Sequence, residues 1–330
     1  MSFASRSVVV LAILETTAGT YSAPSGTNAM LIGSNYSFSE RIGKVDRDNL
    51  RPWMGGADQL NAFRYVEVEF TVELASSGTA GTAPKWGPLM RAAGFAETIV
   101  ASTLVHYTPI SEAFEALSMS IFYGGVRQNL RGCRVRRVVF DLTVNQIPRA
   151  TFTIVGVPRL SPDDLPVLAS PATPTFSGWQ VPHAVLNELG TSNVYLGRTY
   201  NVSTGNLSGG TNYSTKGMVI TVDNDCTARP FLGWGGDHTP IVDRTVRAQV
   251  TFDHAAQERI DFLTAAIANT YNSLDLVHAG PVAGQNLKFF MPRVGYQDPT
   301  NEDDGGLFLT NYNFNALPNA GNDDIYITAM

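Results

Sequence analysis

The sequence predicts a mainly β protein made of two tandem β-barrel or β-sandwich units, each with one flanking α-helix. Three observations support this prediction. Residues 33–48 align with residues 210–225 without a gap, and seven of the sixteen pairs are identical where random pairing gives about one. Each copy is followed by segments in which apolar and polar residues alternate, which is typical of half-buried strands. Five prolines between residues 158 and 176 indicate a stiff linker between the copies.

The first half contains the clearest strand, residues 64–74, in which Val66, Val68, Phe70 and Val72 alternate with acids and threonine. Residues 86–95 predict a short helix, because Pro88 suits a first helical turn. Further strands are predicted near 103–108, 117–123, 134–144 and 149–157.

The second half predicts the same succession. Strands near 217–222 and 244–253 precede a helix over 255–269, for which Asp253 is the expected cap. Its expected buried stripe is Ile260, Phe262, Leu263 and Ile267. Short strands near 274–278, 286–291, 306–315 and 325–329 follow. The resulting division is an N-terminal arm (1–32), a first unit (33–160), a Pro-rich linker with an irregular insertion (161–209) and a second unit (210–330).

Composition excludes several classes of protein. A net charge of −6 disfavours tight phosphate binding, and 16% charged residues suggest that copies of the chain cover part of its surface. Cys133 and Cys226 are too few for a disulfide framework. The run of residues 8–14 is shorter than a membrane span and predicts a buried or partner-paired strand, so we expect no membrane anchor.

No catalytic or metal-binding motif is present in the sequence. The five histidines have no paired metal spacing, and there is no nucleophile elbow or phosphate-binding loop. We therefore predict no enzyme, no metal and no cofactor. The arginines at 131, 134, 136 and 137 are expected to pair with carboxylates on one polar strand face. Arg51 and Arg229, which both precede proline, fit either a salt bridge within a unit or one to a neighbouring subunit.

Several segments resemble the tail tube proteins (major tail proteins) of tailed bacteriophages. They are residues 15–20, 28–31, 45–52, 78–97 and 317–328, of which 78–97 is the most specific. The resemblance implies tail-tube-type β units with no catalytic residues, assembled into rings that stack into a tube. It also implies an N-terminal arm and a long loop that reach into the next ring. Candidate subunit contacts are Glu15, Thr16, Thr17, Trp86, Arg51 and Arg229.

The predicted function is structural: a virion tail tube subunit, assembled in the host cytoplasm, that lets DNA pass without sticking and meets other tail proteins at the tube ends. The net charge of −6 favours an acidic or neutral lumen, with Glu67, Glu69, Glu73, Asp303 and Asp304 as candidate lining residues. Residues 8–20 and 76–84 are expected to become ordered only on assembly.

The number of chains in a ring has two possible values. If both halves are tube units, three chains form a ring with pseudo-sixfold symmetry; if the second half is an outer decoration, six chains are needed. The alternative function is a carbohydrate-binding or decorating β-sandwich on the virion surface, with Trp53, Trp179 and Trp234 as exposed aromatics.

Overall fold

The computed structural model describes residues 7–50, 52–158, 166–170, 172–187, 192–230 and 239–330. Arg51, Trp234, His238 and, within the Pro-rich stretch, residues 159–165 and Pro171 lie outside these residues. The first half contains the strands β1 (Val8–Leu14), β2 (Tyr36–Asp46), β3 (Gln59–Glu73), β4 (Phe95–Val100), β5 (Leu104–Pro109), β6 (Leu117–Tyr123), β7 (Val126–Thr143), β8 (Arg149–Pro158) and β9 (Val167–Leu168), and the helix α1 (Gly87–Ala92).

The second half has a similar content. It contains the strands β10 (Ser192–Asn201), β11 (Asn206–Tyr213), β12 (Thr215–Cys226), β13 (Ile241–Phe252), β14 (Tyr271–His278), β15 (Leu287–Asp304), β16 (Leu307–Ala316) and β17 (Tyr326–Ala329), and the helix α2 (Ala256–Ile267). The prediction of a mainly β protein is confirmed. All of these strands belong to one hydrogen-bonded sheet whose pairings are antiparallel.

The order of pairing is the same in both halves. In the first half the ladder runs β1–β6–β7–β8–β3–β2. In the second half it runs β10–β14–β15–β16–β13–β12. A helix follows β3 in one ladder and β13 in the other. Smaller additions are β11 on β10 and β9 on β7.

Two ladders join the halves. β7 pairs with β12, from Gly217 opposite Thr143 to Asp223 opposite Arg137. The C-terminal strand β17 lies between β15 and β5, and β5 pairs with β4. The hydrophobic core is also continuous across the two halves, since the rings of Phe140 and Phe289 lie 5.2 Å apart within one cluster of buried side chains.

The segment 8–20 and the loop 76–84 are packed in the single chain, contrary to the expectation that they order only on assembly. Val10, Leu11 and Ala12 are at most 2% exposed, because β1 pairs with β6 along its whole length. The loop is held where the Gly78 N–H donates to the Gly284 carbonyl at 2.9 Å. The N-terminal segment is therefore partly a core strand.

The irregular stretch expected up to residue 209 also differs from the prediction, because residues 192–213 form the β10–β11 hairpin. Few apolar residues mark β11, and its order comes from pairing with β10 rather than from local pattern. β2 was likewise not predicted: its last residues are exposed on both faces, so apolar alternation fades after Phe38.

The helix α2 lies where it was predicted, but its buried stripe is not the predicted one. Only Phe262 is buried, at 5% exposure. The other three residues of the expected stripe are exposed: Ile260 at 59%, Leu263 at 46% and Ile267 at 75%. The cap also differs from the expected Asp253, since Glu258 Oε2 accepts a hydrogen bond from the Ala255 N–H at 2.9 Å.

Candidate assembly surfaces

One side of the sheet is polar apart from Val139 and Val219, and we call it the polar face. Along β3, Val66, Val68, Phe70 and Val72 point into the core and are fully buried, so the alternate residues lie on the opposite side. The same alternation in the paired strands defines the polar face by Ser37, Ser39, Arg41, Glu67, Glu69, Glu73, Arg137, Asp141, Arg149, Thr151, Thr153, Thr221, Asp223, Arg247, Gln249, Asn311, Asn313 and Asn315.

The candidate lumen residues of β3 lie on this polar face and are matched by cations. Glu67 is 2.8 Å from Arg136 and 3.4 Å from Arg41. Glu69 accepts a hydrogen bond from the Thr153 hydroxyl at 2.9 Å, and Glu73 stands opposite Arg149 in the ladder. The polar face in the first half is therefore charge-balanced rather than acidic.

The second half presents amides on the same face. Gln249, Asn313 and Asn315 replace most of the charged side chains there, and an open groove of about 340 Å³ lies between β12, β13 and β15. Asp303 and Asp304, the other lumen candidates, lie at the end of β15 and are exposed. Asp303 closes the turn by accepting the Gly306 N–H at 2.8 Å, and Asp304 forms an ion pair with Lys216.

Glu15, a predicted subunit contact, is buried inside the chain. Its carboxylate accepts hydrogen bonds from the Ser118 hydroxyl at 2.8 Å, the Gly132 N–H at 2.8 Å and the Gly19 N–H at 2.6 Å. Burial raises the pKa of this carboxyl, and the hydrogen bonds act in the opposite direction. Glu15 thus ties the turn after β1 to β6 and β7, whereas its neighbours Thr16 and Thr17 are exposed.

Trp86 is a core residue in this structure. Its side chain is 1% exposed, its indole N–H donates to the Ala75 carbonyl at 2.8 Å, and its ring lies 5.0 Å from that of Tyr107. Such a side chain offers no surface to a neighbouring subunit. Arg229 is exposed after β12, and Arg51 lies outside the described residues, so the choice between their two predicted roles stays open.

Two of the four clustered arginines behave as predicted. Arg136 pairs with Glu67, and Arg137 lies 2.5 Å from Asp223. Arg134 is instead only 2% exposed and donates to the backbone carbonyls of Phe114, Glu115 and Thr239. Arg131, also buried, donates to the Gly19 carbonyl at 2.9 Å.

The contacts that hold the two halves together were not found from the sequence. Besides the β7–β12 ladder, the Asn224 amide donates to the carbonyls of Ala93 and Val135, each at 2.9 Å. Thr239 accepts from Arg134 and donates to the Gly132 carbonyl. Isolated Asn, Arg and Thr residues carry no sequence signal for such a role, because their partners are backbone carbonyls.

Catalytic chemistry has no support in the described geometry. No group of three or more His, Cys, Asp or Glu side chains there could hold a metal ion. Within those same residues, Cys133 and Cys226 are buried thiols, and burial raises the pKa of Cys133, which keeps it protonated. His183 and His278 stack at 4.6 Å, and burial lowers the pKa of His278 to about 4.

Comparison with protein families identifies the chain. The family model described as phage tail tube protein matches residues 5–328, nearly the whole length. The chain belongs to the phage tail tube protein family. A search among curated proteins finds no match. Membership makes this a structural protein of the virion tail. Among the described residues, no helix is long and apolar enough to cross a membrane.

Proposed function

We propose that this tail tube protein forms closed rings that stack into the tube, a conduit for DNA, and that each ring holds three chains. The observation that carries the proposal is the ladder order that occurs twice and is joined edge to edge by β7 and β12. It supports two tandem tube units per chain. Through this junction, eight strands follow one another as β2–β3–β8–β7–β12–β13–β16–β15.

The width of such a ring follows from strand spacing. Three copies give about 24 strands. At about 4.8 Å per strand, the ring of strands has a backbone-to-backbone diameter of about 37 Å, or more when strands tilt. Two copies give about 16 strands and a diameter of about 24 Å, a barrel of porin size whose aqueous channel, once lined by side chains, is narrower than a duplex. Three is therefore the smallest number that leaves a channel for a duplex.

The polar face supports an assignment as the channel lining. Its charges are paired, as in Glu67 with Arg41 and Arg136, and its second half is rich in amides. A wall without excess positive charge does not release counterions from DNA phosphates, so DNA slides instead of binding. We propose that Glu67, Glu69 and Glu73 face the lumen within this balanced surface.

The test is the mass and symmetry of an isolated ring. Tubes formed by the purified chain are imaged by electron microscopy, and rings released by mild dissociation are weighed by native mass spectrometry. Three chains per ring support tandem tube units. Six chains per ring would mean that the second half decorates the outside, and the absence of any ring or tube would contradict the proposed assembly.

A further inference from the structure

The junction between the two halves is a complete interface between two similar ladders. The β12–β13 hairpin brings the edge of β12 to β7 and covers the end of α1. There Asn224 bonds to the Ala93 carbonyl, and the Ile241 side chain lies against Gly94, 3.4 Å from the position of a Cβ atom. Leu89 and Met90 of α1 are fully buried.

The equivalent surfaces at the two ends of the chain are open. In the first half, β2 pairs with β3 on one edge, and no described strand pairs with its other edge. In the second half, β14 ends opposite Gly295, so among the described strands nothing pairs with that edge of β15 from Gln297 to Asp304. Each end thus presents one side of a junction whose counterpart is already formed in the middle of the chain.

Exposed apolar side chains gather at these same two places. On the β2–β3 hairpin they are Ile42 (42% exposed), Val45 (57%) and Leu60 (50%). On α2 they are Ile260, Leu263 and Ile267, the stripe that was expected to be buried. Two such clusters on one molecule are typical of surfaces that another protein covers.

We propose that the β2–β3 hairpin of one copy adds to the open edge of β15 in the next copy and covers its α2. The partner is a second copy of this chain, because both halves of the contact are on one molecule and differ from each other. Such a heterologous contact closes into a ring when its rotation divides a full turn. The inference rests on the proposed ring and specifies its contact.

The ladders give the register of this contact. Val219 stands opposite Asp141 in the junction. The ladder β3–β8 is matched to β13–β16 so that Glu69 corresponds to Gln249, and Val219 then corresponds to Ser37, since Val219 pairs with Gln249 and Ser37 pairs with Glu69. This equivalence differs by five residues from the sequence alignment of 33–48 with 210–225, which equates Val219 with Ile42. Asp141 corresponds to Glu302 by the same comparison of hairpins, since Asp141 pairs with Arg149 and Glu302 with Leu309. Ser37 of one copy is therefore placed opposite Glu302 of the next.

One pair of charges across the two edges favours this contact. β2 and the residues after it carry both signs, with Arg41, Lys44 and Arg47 beside Glu40 and Asp46, and β15 ends with Asp298, Glu302, Asp303 and Asp304. The strands run antiparallel, so in this register Arg41 reaches Asp298, whereas residues 302–304 lie along Ser37 and the residues before it. The junction within the chain has the same kind of contact, the ion pair of Arg137 with Asp223.

The decisive experiment is a disulfide between copies, using the full chain with S37C and E302C. The native thiols Cys133 and Cys226 are buried. We expect oxidised assemblies of the double variant to give a ladder of covalent oligomers that ends at the closed ring, reversed by a thiol reductant. The matched control is S37C with Q249C, because β13 has both edges paired within the chain, and it should stay monomeric on a denaturing gel.

A second variant tests the helix contact. Ile267→Asp should lower the amount of sedimentable tubes at least tenfold while the monomer unfolds at the wild-type temperature. The control Leu168→Asp, on β9 and even more exposed (92% against 75%), should assemble normally. The proposed interface would be overturned, but not the ring, if the wild type forms tubes, the S37C/E302C chains do not crosslink and Ile267→Asp assembles normally. A wild-type chain that forms no ring would overturn the proposed function itself.

Discussion

Asn224 is the side chain whose removal should most directly loosen the two halves. It is 4% exposed, and its amide donates to the carbonyls of Ala93 and Val135, both at 2.9 Å. Replacing Asn224 with Ala leaves two buried carbonyl oxygens without these donors. Each costs about 1–3 kcal/mol of desolvation, and partial access of water reduces the sum, so we expect a loss of about 2–4 kcal/mol in the free energy of unfolding.

The assay is urea unfolding of the dilute, monomeric chain, followed by tryptophan fluorescence. The matched control is Asn212→Ala, since Asn212 is exposed and its amide makes only a 3.3 Å hydrogen bond to Asn193; it should change stability by less than about 0.5 kcal/mol. Asn224→Asp gives a pH-dependent test, because a carboxyl group donates a hydrogen bond only when it is protonated. The free energy of unfolding of this variant should therefore rise relative to that of the wild type as pH falls. If Asn224→Ala matches the Asn212 control, the amide does not hold the halves together.

Three further predictions concern stability. The buried imidazole of His278 has its pKa lowered to about 4, so it stays neutral in the fold while the unfolded chain gains a proton near pH 6.5. The stabilising contribution of His278 should therefore be complete above pH 6.5 and fall by about 3 kcal/mol towards pH 4. Thermal unfolding across that range should show this loss in the wild type and a smaller loss in His278→Gln. In Glu15→Gln, the side-chain NH2 group would face three hydrogen-bond donors, so the free energy of unfolding in urea should fall by about 2 kcal/mol. Thr16→Ala, next to it and exposed, should leave that free energy almost unchanged. Trp86→Phe keeps the apolar contact but leaves the Ala75 carbonyl without its 2.8 Å donor; a loss of about 1–3 kcal/mol is expected, and an unchanged unfolding midpoint would contradict it.

Strands with one buried face could be predicted from the sequence, because their alternation records which side meets the core. β3 is the best example: all four of its predicted inward residues are fully buried. β1 was predicted for another reason, the β-branched composition of its apolar run, which favours strands. β11 could not be, since Gly209 and Gly210 with positive φ interrupt any pattern and the strand depends on pairing with β10.

Burial by another molecule cannot be separated from burial by the core on periodicity alone. Ile260, Leu263 and Ile267 have the spacing of a buried stripe, yet α2 turns them to solvent and only Phe262 inward. The reverse error concerns charged residues, which are assigned to the surface unless their partners are known. Arg134 can be buried because three backbone carbonyls accept hydrogen bonds from its guanidinium. These carbonyls belong to distant segments, so the sequence around Arg134 does not predict its burial.

The polar face changes character along the chain, from ionic side chains on β3, β8 and β7 to amides on β13 and β16. A chain that carried one ladder would repeat a single chemistry in every copy. Here each copy contributes one sector of paired ions and one sector in which amides lie beside Arg247, and the β7–β12 ladder fixes their order. Wherever copies stand side by side along this sheet the two sectors alternate, so the electrostatic potential at the wall repeats once per chain rather than once per ladder. Substitutions in one sector can then adjust that potential while the other sector keeps its chemistry.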